Sequence, residues 1–158
     1  MSDRPDVSEF GSVDPAPASD RLSVENLRSS LCDEGERMFQ RMRALFALRN
    51  IGGKEAVDSL AAAFDSSSAL LKHEIAYVLG QMQDDNAVPH LISRLEDLEE
   101  DVMVRHEAAE ALGAIGNRTA MSTLEKFASD AEIVVAESCE VAIDLLNWVS
   151  SDRLDYSD

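Results

Sequence analysis

The sequence predicts an all-α fold, a solenoid of about four helical hairpins, and three observations predict it. Hydrophobic residues make up 45% of the 158 residues but aromatics only 5%. With Ala, Leu, Val, Glu and Asp dominant, that is the composition of helix packed on helix. Four segments align as repeats: ALFALRNIGG (44–53), AYVLGQMQDD (76–85), EALGAIGNRT (110–119) and VAIDLLNWVS (141–150). Their anchors Leu48, Leu79, Leu112 and Ile143 are 31, 33 and 31 residues apart, a period that signals stacked helical hairpins, each burying its face on its neighbours. Within a repeat, Leu71, Ile75, Val78, Leu79 and Met82 fall on one face at helical spacing.

Taken in order, residues 1–20 hold three of the four prolines, several Ser and Asp, and no apolar core. They read as a disordered arm or an inter-domain linker. The domain proper is expected over 21–150. A helix near 22–32 caps the first unit, about 36–65, whose turn is Gly52-Gly53. The second unit, about 66–98, has one helix over 68–82, a turn and cap at Asp84-Asp85-Asn86, and a second helix over 86–97 carrying Val88, Leu91, Ile92 and Leu95. The third unit, about 99–129, has helices over 101–115 and 118–128 around a Gly116-Asn117 turn. The fourth, about 130–149, is one long helix. A polar tail, 151–158, is expected to be loose.

The bulk charge narrows the partners. The formal net charge is −17, so phosphate neutralisation, the main source of nucleic-acid affinity, is lacking. An acidic surface suits a basic partner. No run of about 18 apolar residues spans a membrane, and the acidic start is no signal peptide. The cytoplasm is the expected compartment. Cys32 and Cys139 have no metal-site spacing and read as buried, reduced thiols.

One pattern carries chemistry. KHEIAYVLGQM and RHEAAEALGAI place His73-Glu74 and His106-Glu107 in the same repeat register, six and five residues before their anchors. The same offset gives Met42-Arg43 in unit one and Glu137-Ser138 in unit four. A pair required by the repeat itself would occur in every unit, so this pair serves a site. Equivalent positions on adjacent repeats lie about 8–10 Å apart between axes, so His73 and His106 can share one metal. Successive helical residues point about 100° apart, so each Glu is free to reach a different ion or a substrate. Imidazole plus carboxylate is the ligand set of non-haem iron, and two sets side by side suit a dinuclear centre. Zinc is disfavoured, with no thiolate set or HExxH. Two His and two Glu are too few for two irons, so the site looks like half of something.

Nearby residues have blander readings. Gly80 lies two turns beyond His73, leaving room for a ligand or serving tight helix packing, as Gly113 does in unit three. Met103 shares the His106 face, by default as a core residue. His90 and the acidic run Glu96–Asp101 read as solvated.

The motif VRxxAxxALGxIG (104–116) resembles HEAT repeats. KHEIAYVLGQMQD and MVRHEAAEALGAIG resemble the His-Glu segments of the deoxyhypusine hydroxylase family, and SVDPAPA (12–18) and ESCEVAIDLLNW (137–148) resemble the start and end of its C-terminal half. The resemblance runs from about Ser12 to Tyr156. It implies a monooxygenase that hydroxylates deoxyhypusine on a translation factor to hypusine, with O2 and two Fe(II) ions per complete site. It further implies that His73 and His106 bind one iron, Glu74 reaches the iron of the other half, Glu107 meets the substrate amine as the catalytic carboxylate, and Gly80 and Met103 line the substrate channel. The family has four His-Glu pairs and this chain has two. The expected partner is therefore the other half of the enzyme or a second copy of this chain. The alternative is a catalytically incomplete module that binds the basic deoxyhypusine loop or a protein partner.

Overall fold

A computed structural model describes residues 3–151. Its helices are α1 (Val24–Cys32), α2 (Met38–Ile51), α3 (Lys54–Ala62), α4 (Ala69–Met82), α5 (Val88–Glu96), α6 (Val102–Ile115), α7 (Met121–Phe127) and α8 (Ile133–Ser150), and no strand occurs among the described residues. The expected tail falls almost wholly on 152–158, outside the described residues.

Local chemistry sets the boundaries. Ser23, Ser68 and Asp101 cap α1, α4 and α6 by accepting from backbone N–H groups of the first turn. Pro89 sits in the first turn of α5, where its missing N–H has no partner to lose. α6 stops at Gly116, with φ 80°. The equivalent residue after α4 is Gln83, which takes the left-handed conformation at φ 50°. Its side chain donates to Ala114 O at 2.8 Å, fastening this unusual turn to the next unit.

Helices α2, α4, α6 and α8 stack as one layer, with α3, α5 and α7 as the second and α1 closing the first unit. The anchors Leu48, Leu79 and Leu112 are fully buried, and Ile143 is partly buried against the core. In unit four the core positions are Val135, Cys139, Ala142 and Leu146. Adjacent layers meet through small residues in register. A Cβ on Gly80 would stand 3.1 Å from Ala111 Cα, and one on Gly113 would stand 3.0 Å from Ala142 Cα. The residue after each anchor thus rests against the residue before the next anchor, which sets how close successive helices come.

Seven residues before the anchors stand Arg41, Lys72 and Arg105. Arg41 Nε donates to Leu31 O at 2.9 Å and Arg105 Nε donates to Leu95 O at 3.0 Å. Arg105 also pairs with Asp130 at 2.6 Å. Lys72 and Arg94 reach Glu100 at 2.6 and 3.0 Å. The acidic run was expected to be solvated, but Glu100 is buried, because this repeat supplies two cations that neutralise it. Glu96, Glu99 and Asp101 are exposed as expected, and Asp97 is half-buried.

The described residues of the N-terminal arm form no helix, yet its second half is packed. Ala16 is buried, Ser19 N donates to Arg43 O at 3.0 Å, and Arg43 Nε donates to Pro17 O at 3.0 Å. Arg49, itself buried, makes two hydrogen bonds to Asp14, at 2.9 and 2.6 Å, and its guanidinium lies 4.4 Å from the Phe10 ring centre. Ala16, the Asp14–Arg49 and Asp20–Arg43 pairs and the backbone bonds of Ser19 and Pro17 hold this half of the arm against the first unit.

Candidate metal centre

The close packing of α4 on α6 brings successive units' side chains into contact at the His-Glu register. His73 Nε2 lies 3.1 Å from Glu107 Oε2, and His106 Nε2 lies 3.5 Å from the same oxygen. Both histidines therefore approach the same carboxylate, that of Glu107. Glu74 diverges: its Oε1 stands 3.9 Å from His73 Nδ1, beyond hydrogen-bonding distance. The helical twist that separates consecutive side chains accounts for this.

A third carboxylate joins from the next turn of α6. Donor atoms of His106, Glu107 and Glu110 all lie within 4.8 Å of one another. Glu110 was not singled out from the sequence, although its i+4 spacing from His106 was the signal that could have found it. His106 Nδ1 also has a close partner on α8, the Ser138 hydroxyl at 2.6 Å.

Burial dominates the electrostatics. Glu107 is nearly buried, and desolvation pushes its carboxyl above the usual carboxylate range. His73 and His106 pull the other way, while Glu110 and Glu74 add repulsion. Glu74 is likewise raised by burial, with His73 opposing and Asp14 of the packed arm reinforcing. Carboxylates clustered this way are short of positive charge, and an incoming cation relieves them.

Beside the cluster opens a cavity of about 230 Å³ lined by Tyr77, Gly80, Gln81, Glu107, Glu110, Ala111 and Ala114. Gly80 and Glu107, both expected at a substrate channel, line it. The tight contact with Ala111 also satisfies the packing reading of Gly80. Met103 is not among the lining residues and is about half exposed, not core. Tyr77 and Gln81 were not anticipated. Gln81 connects the rim to the arm, because its amide donates to Ser12 Oγ at 3.3 Å while its oxygen accepts from Arg49 at 2.9 Å. His90 is remote, partly exposed, and 3.3 Å from Asp58. Cys139 is buried as expected, Cys32 is exposed, and both thiols are free. Among the described residues no helix is long and apolar enough to cross a membrane.

Residues 62–144 match the family model for HEAT repeats, and residues 40–66 match that for PBS lyase HEAT-like repeats. The chain is 49% identical over 156 residues to deoxyhypusine hydroxylase of Danio rerio, covering 99% of this chain and 51% of that protein. It is 47% identical over 154 residues to deoxyhypusine hydroxylase of Homo sapiens, covering 98% and 51%. The solved structure of human deoxyhypusine hydroxylase in complex with glycerol superimposes with a TM-score of 0.88 at 49% identity, covering 91% of this chain and 50% of that one. The chain thus spans about half the length of the curated relatives it matches.

Proposed function

The chain belongs to the HEAT-repeat family and is homologous to one half of deoxyhypusine hydroxylase, and from that premise we propose that it forms one His/Glu half-site of a non-haem di-iron monooxygenase that converts deoxyhypusine on a translation factor to hypusine. The observation that carries this reading is the meeting of His73 and His106 on one oxygen of Glu107, at 3.1 and 3.5 Å.

The donor set fits such a metal. Ligand atoms about 2.1 Å from an ion and at right angles to one another stand about 3.0 Å apart, close to the spacing of His73 Nε2 and Glu107 Oε2. Nitrogen and carboxylate donors without thiolate suit iron better than a structural zinc. His73, His106 and Glu107 are the proposed ligands on this chain, with Glu110 near enough to His106 and Glu107 to join those two. Glu74 diverges from the pair and is proposed to reach the second ion.

When bound, iron supplies O2 activation for insertion of one oxygen atom into a C–H bond. The protein's own contribution is position and charge. Glu107 and Glu110 present carboxylate at the cavity, where an ammonium side chain is held by opposite charge. Gly80 keeps that cavity wall free of a side chain, and Tyr77 and Gln81 close its rim. The net charge of −17 favours approach of a basic loop.

Two His-Glu pairs complete half of a dinuclear centre, so turnover is proposed to require the other half of the enzyme or a second copy of this chain. Which half this is rests on SVDPAPA and ESCEVAIDLLNW, which favour the C-terminal one. A chain that never pairs would act as a binding module for the basic deoxyhypusine loop. Anaerobic loading with Fe(II), followed by iron stoichiometry and mass in solution, tests the reading. About one iron per chain in a dimer, with oxygen-dependent conversion of deoxyhypusine-bearing factor, is the expected result. A monomer that takes up no iron sinks it.

A further inference from the structure

The residue that meets His106 from the next unit is not a carboxylate. Glu107 stands five residues before its anchor and reaches back to His73. Ser138 holds the same place in unit four and reaches back to His106 Nδ1 at 2.6 Å. The same hydroxyl lies 2.6 Å from Val134 O, one turn earlier on α8. A hydroxyl has a single proton, and a carbonyl oxygen only accepts. At 2.6 Å the Val134 contact is a hydrogen bond only if Ser138 donates, since otherwise two oxygen lone pairs would face each other. Ser138 Oγ must then accept from His106, which puts the ring proton on Nδ1. In the neutral ring Nε2 is left bare, and it faces Glu107 Oε2 at 3.5 Å. Glu110 Oε1, at 3.7 Å from Nδ1, is too far to compete for that proton.

We propose that Ser138 is a positioning residue: its hydroxyl relays a hydrogen bond from His106 Nδ1–H to Val134 O, fixing the tautomer and ring plane that present Nε2 as a metal donor beside Glu107. This rests on the metal reading above and deepens it. A ligating histidine whose second nitrogen is anchored is oriented and made more basic, and loss of such anchors costs 10–100-fold in metal affinity. The arrangement also makes the two histidines inequivalent. Of the two, only His106 has its Nδ1 hydrogen-bonded to a neutral group, while the nearest recorded group to His73 Nδ1 is the Glu74 carboxylate at 3.9 Å.

Two readouts on the full chain test this. Anaerobic Fe(II) binding isotherms are measured for wild type, S138A and S138T, with far-ultraviolet circular dichroism to check folding. The expected result is roughly 10–100-fold weaker binding in S138A, with recovery in S138T, whose hydroxyl can bond the same carbonyl. S138A binding as tightly as wild type overturns the proposal. The ring tautomer of His106 is read separately, by ¹⁵N NMR of metal-free protein well above the ordinary histidine pKa of about 6.5. The Nδ1–H form is expected in wild type, shifting toward Nε2–H in S138A, where Glu107 becomes the better acceptor. A wild-type Nε2–H form overturns the proposal whatever the metal does. No Fe(II) uptake by wild type, with the Nδ1–H form present, refutes the metal reading and not the hydrogen-bond relay.

Discussion

His73 on α4 and Glu107 on α6 meet at 3.1 Å although they lie in different repeats. The contact follows from the repeat itself: α6 lays the residue five before its anchor over the residue six before the preceding anchor. The same relation joins Ser138 to His106. A site between units is therefore built by changing two residues per repeat while the packing that spaces the helices stays the same.

That separation of site from scaffold makes the first prediction sharp. His73→Ala and His106→Ala should each abolish Fe(II) binding and leave helicity nearly intact, since both rings are only partly buried. Glu107→Gln should bind iron more weakly yet melt higher than wild type without metal, because it removes a carboxylate that burial disfavours. Thermal melts of metal-free protein check this. Extensive unfolding of either histidine variant would show that the rings are core residues.

The scaffold itself is sensitive at two glycines. Alanine is ordinarily preferred over glycine within a helix by about 1 kcal/mol. At Gly80 and Gly113 the added Cβ would sit 3.1 and 3.0 Å from the backbone of the next helix, and backbone cannot step aside cheaply. Overpacking of this kind costs about 1–3 kcal/mol. Each Gly→Ala variant should therefore be destabilised, Gly113→Ala the more so, as read by urea denaturation. Gly80→Ala should also weaken iron binding by altering the α4–α6 spacing.

Most of the helical plan was legible because a 31- to 33-residue period, the cap at Asp84 and the Gly52-Gly53 and Gly116-Asn117 turns all point the same way. The His-Glu register was legible for the same reason. Other features were not, and three besides Glu110, Tyr77 and Gln81 show why. Glu100 reads as one more acid in a charged run, and only the fold shows Lys72 and Arg94 aimed at it. Ser138 looks like a lost glutamate until its two 2.6 Å contacts are seen. The arm's composition speaks of disorder, and nothing local reveals that Asp14 meets Arg49 thirty-five residues later.

That last pair predicts how the arm behaves. The Arg49 side chain is fully buried and Asp14 nearly so. Removing one partner of a buried ion pair leaves the other charge uncompensated and costs about 3–5 kcal/mol. Asp14→Ala should fall in that range and should free the arm, which limited proteolysis would detect as new cleavage before Ser19. Arg49→Met, which keeps the bulk and leaves unpaired only Asp14, the partner nearer to water, should cost less than Asp14→Ala. The reverse order would mean that the Phe10 and Phe46 ring contacts of Arg49, not the ion pair, hold the arm.

The two thiols should separate cleanly by reactivity and by their effect on stability at high pH. Cys32 is exposed and Cys139 is buried in the core of unit four. Burial, with Asp130 adding repulsion and Arg105 opposing it, lifts the Cys139 thiol from 9.0 to about 11. A disulfide-exchange reagent should therefore titrate one thiol in the folded chain and two in urea. Between pH 9 and about 11 the unfolded chain releases a Cys139 proton that the folded chain retains. Unfolding is favoured as pH rises through that window, by up to about 1.4 kcal/mol per pH unit. General charge repulsion in a chain this acidic also grows with pH, so the informative quantity is a difference. Cys139→Ala should lose less stability than wild type between pH 8.5 and 10.5, both values chosen to bracket the lower part of the window. Parallel slopes would mean that the folded thiol ionises near its ordinary value and that water reaches the α6–α8 interface.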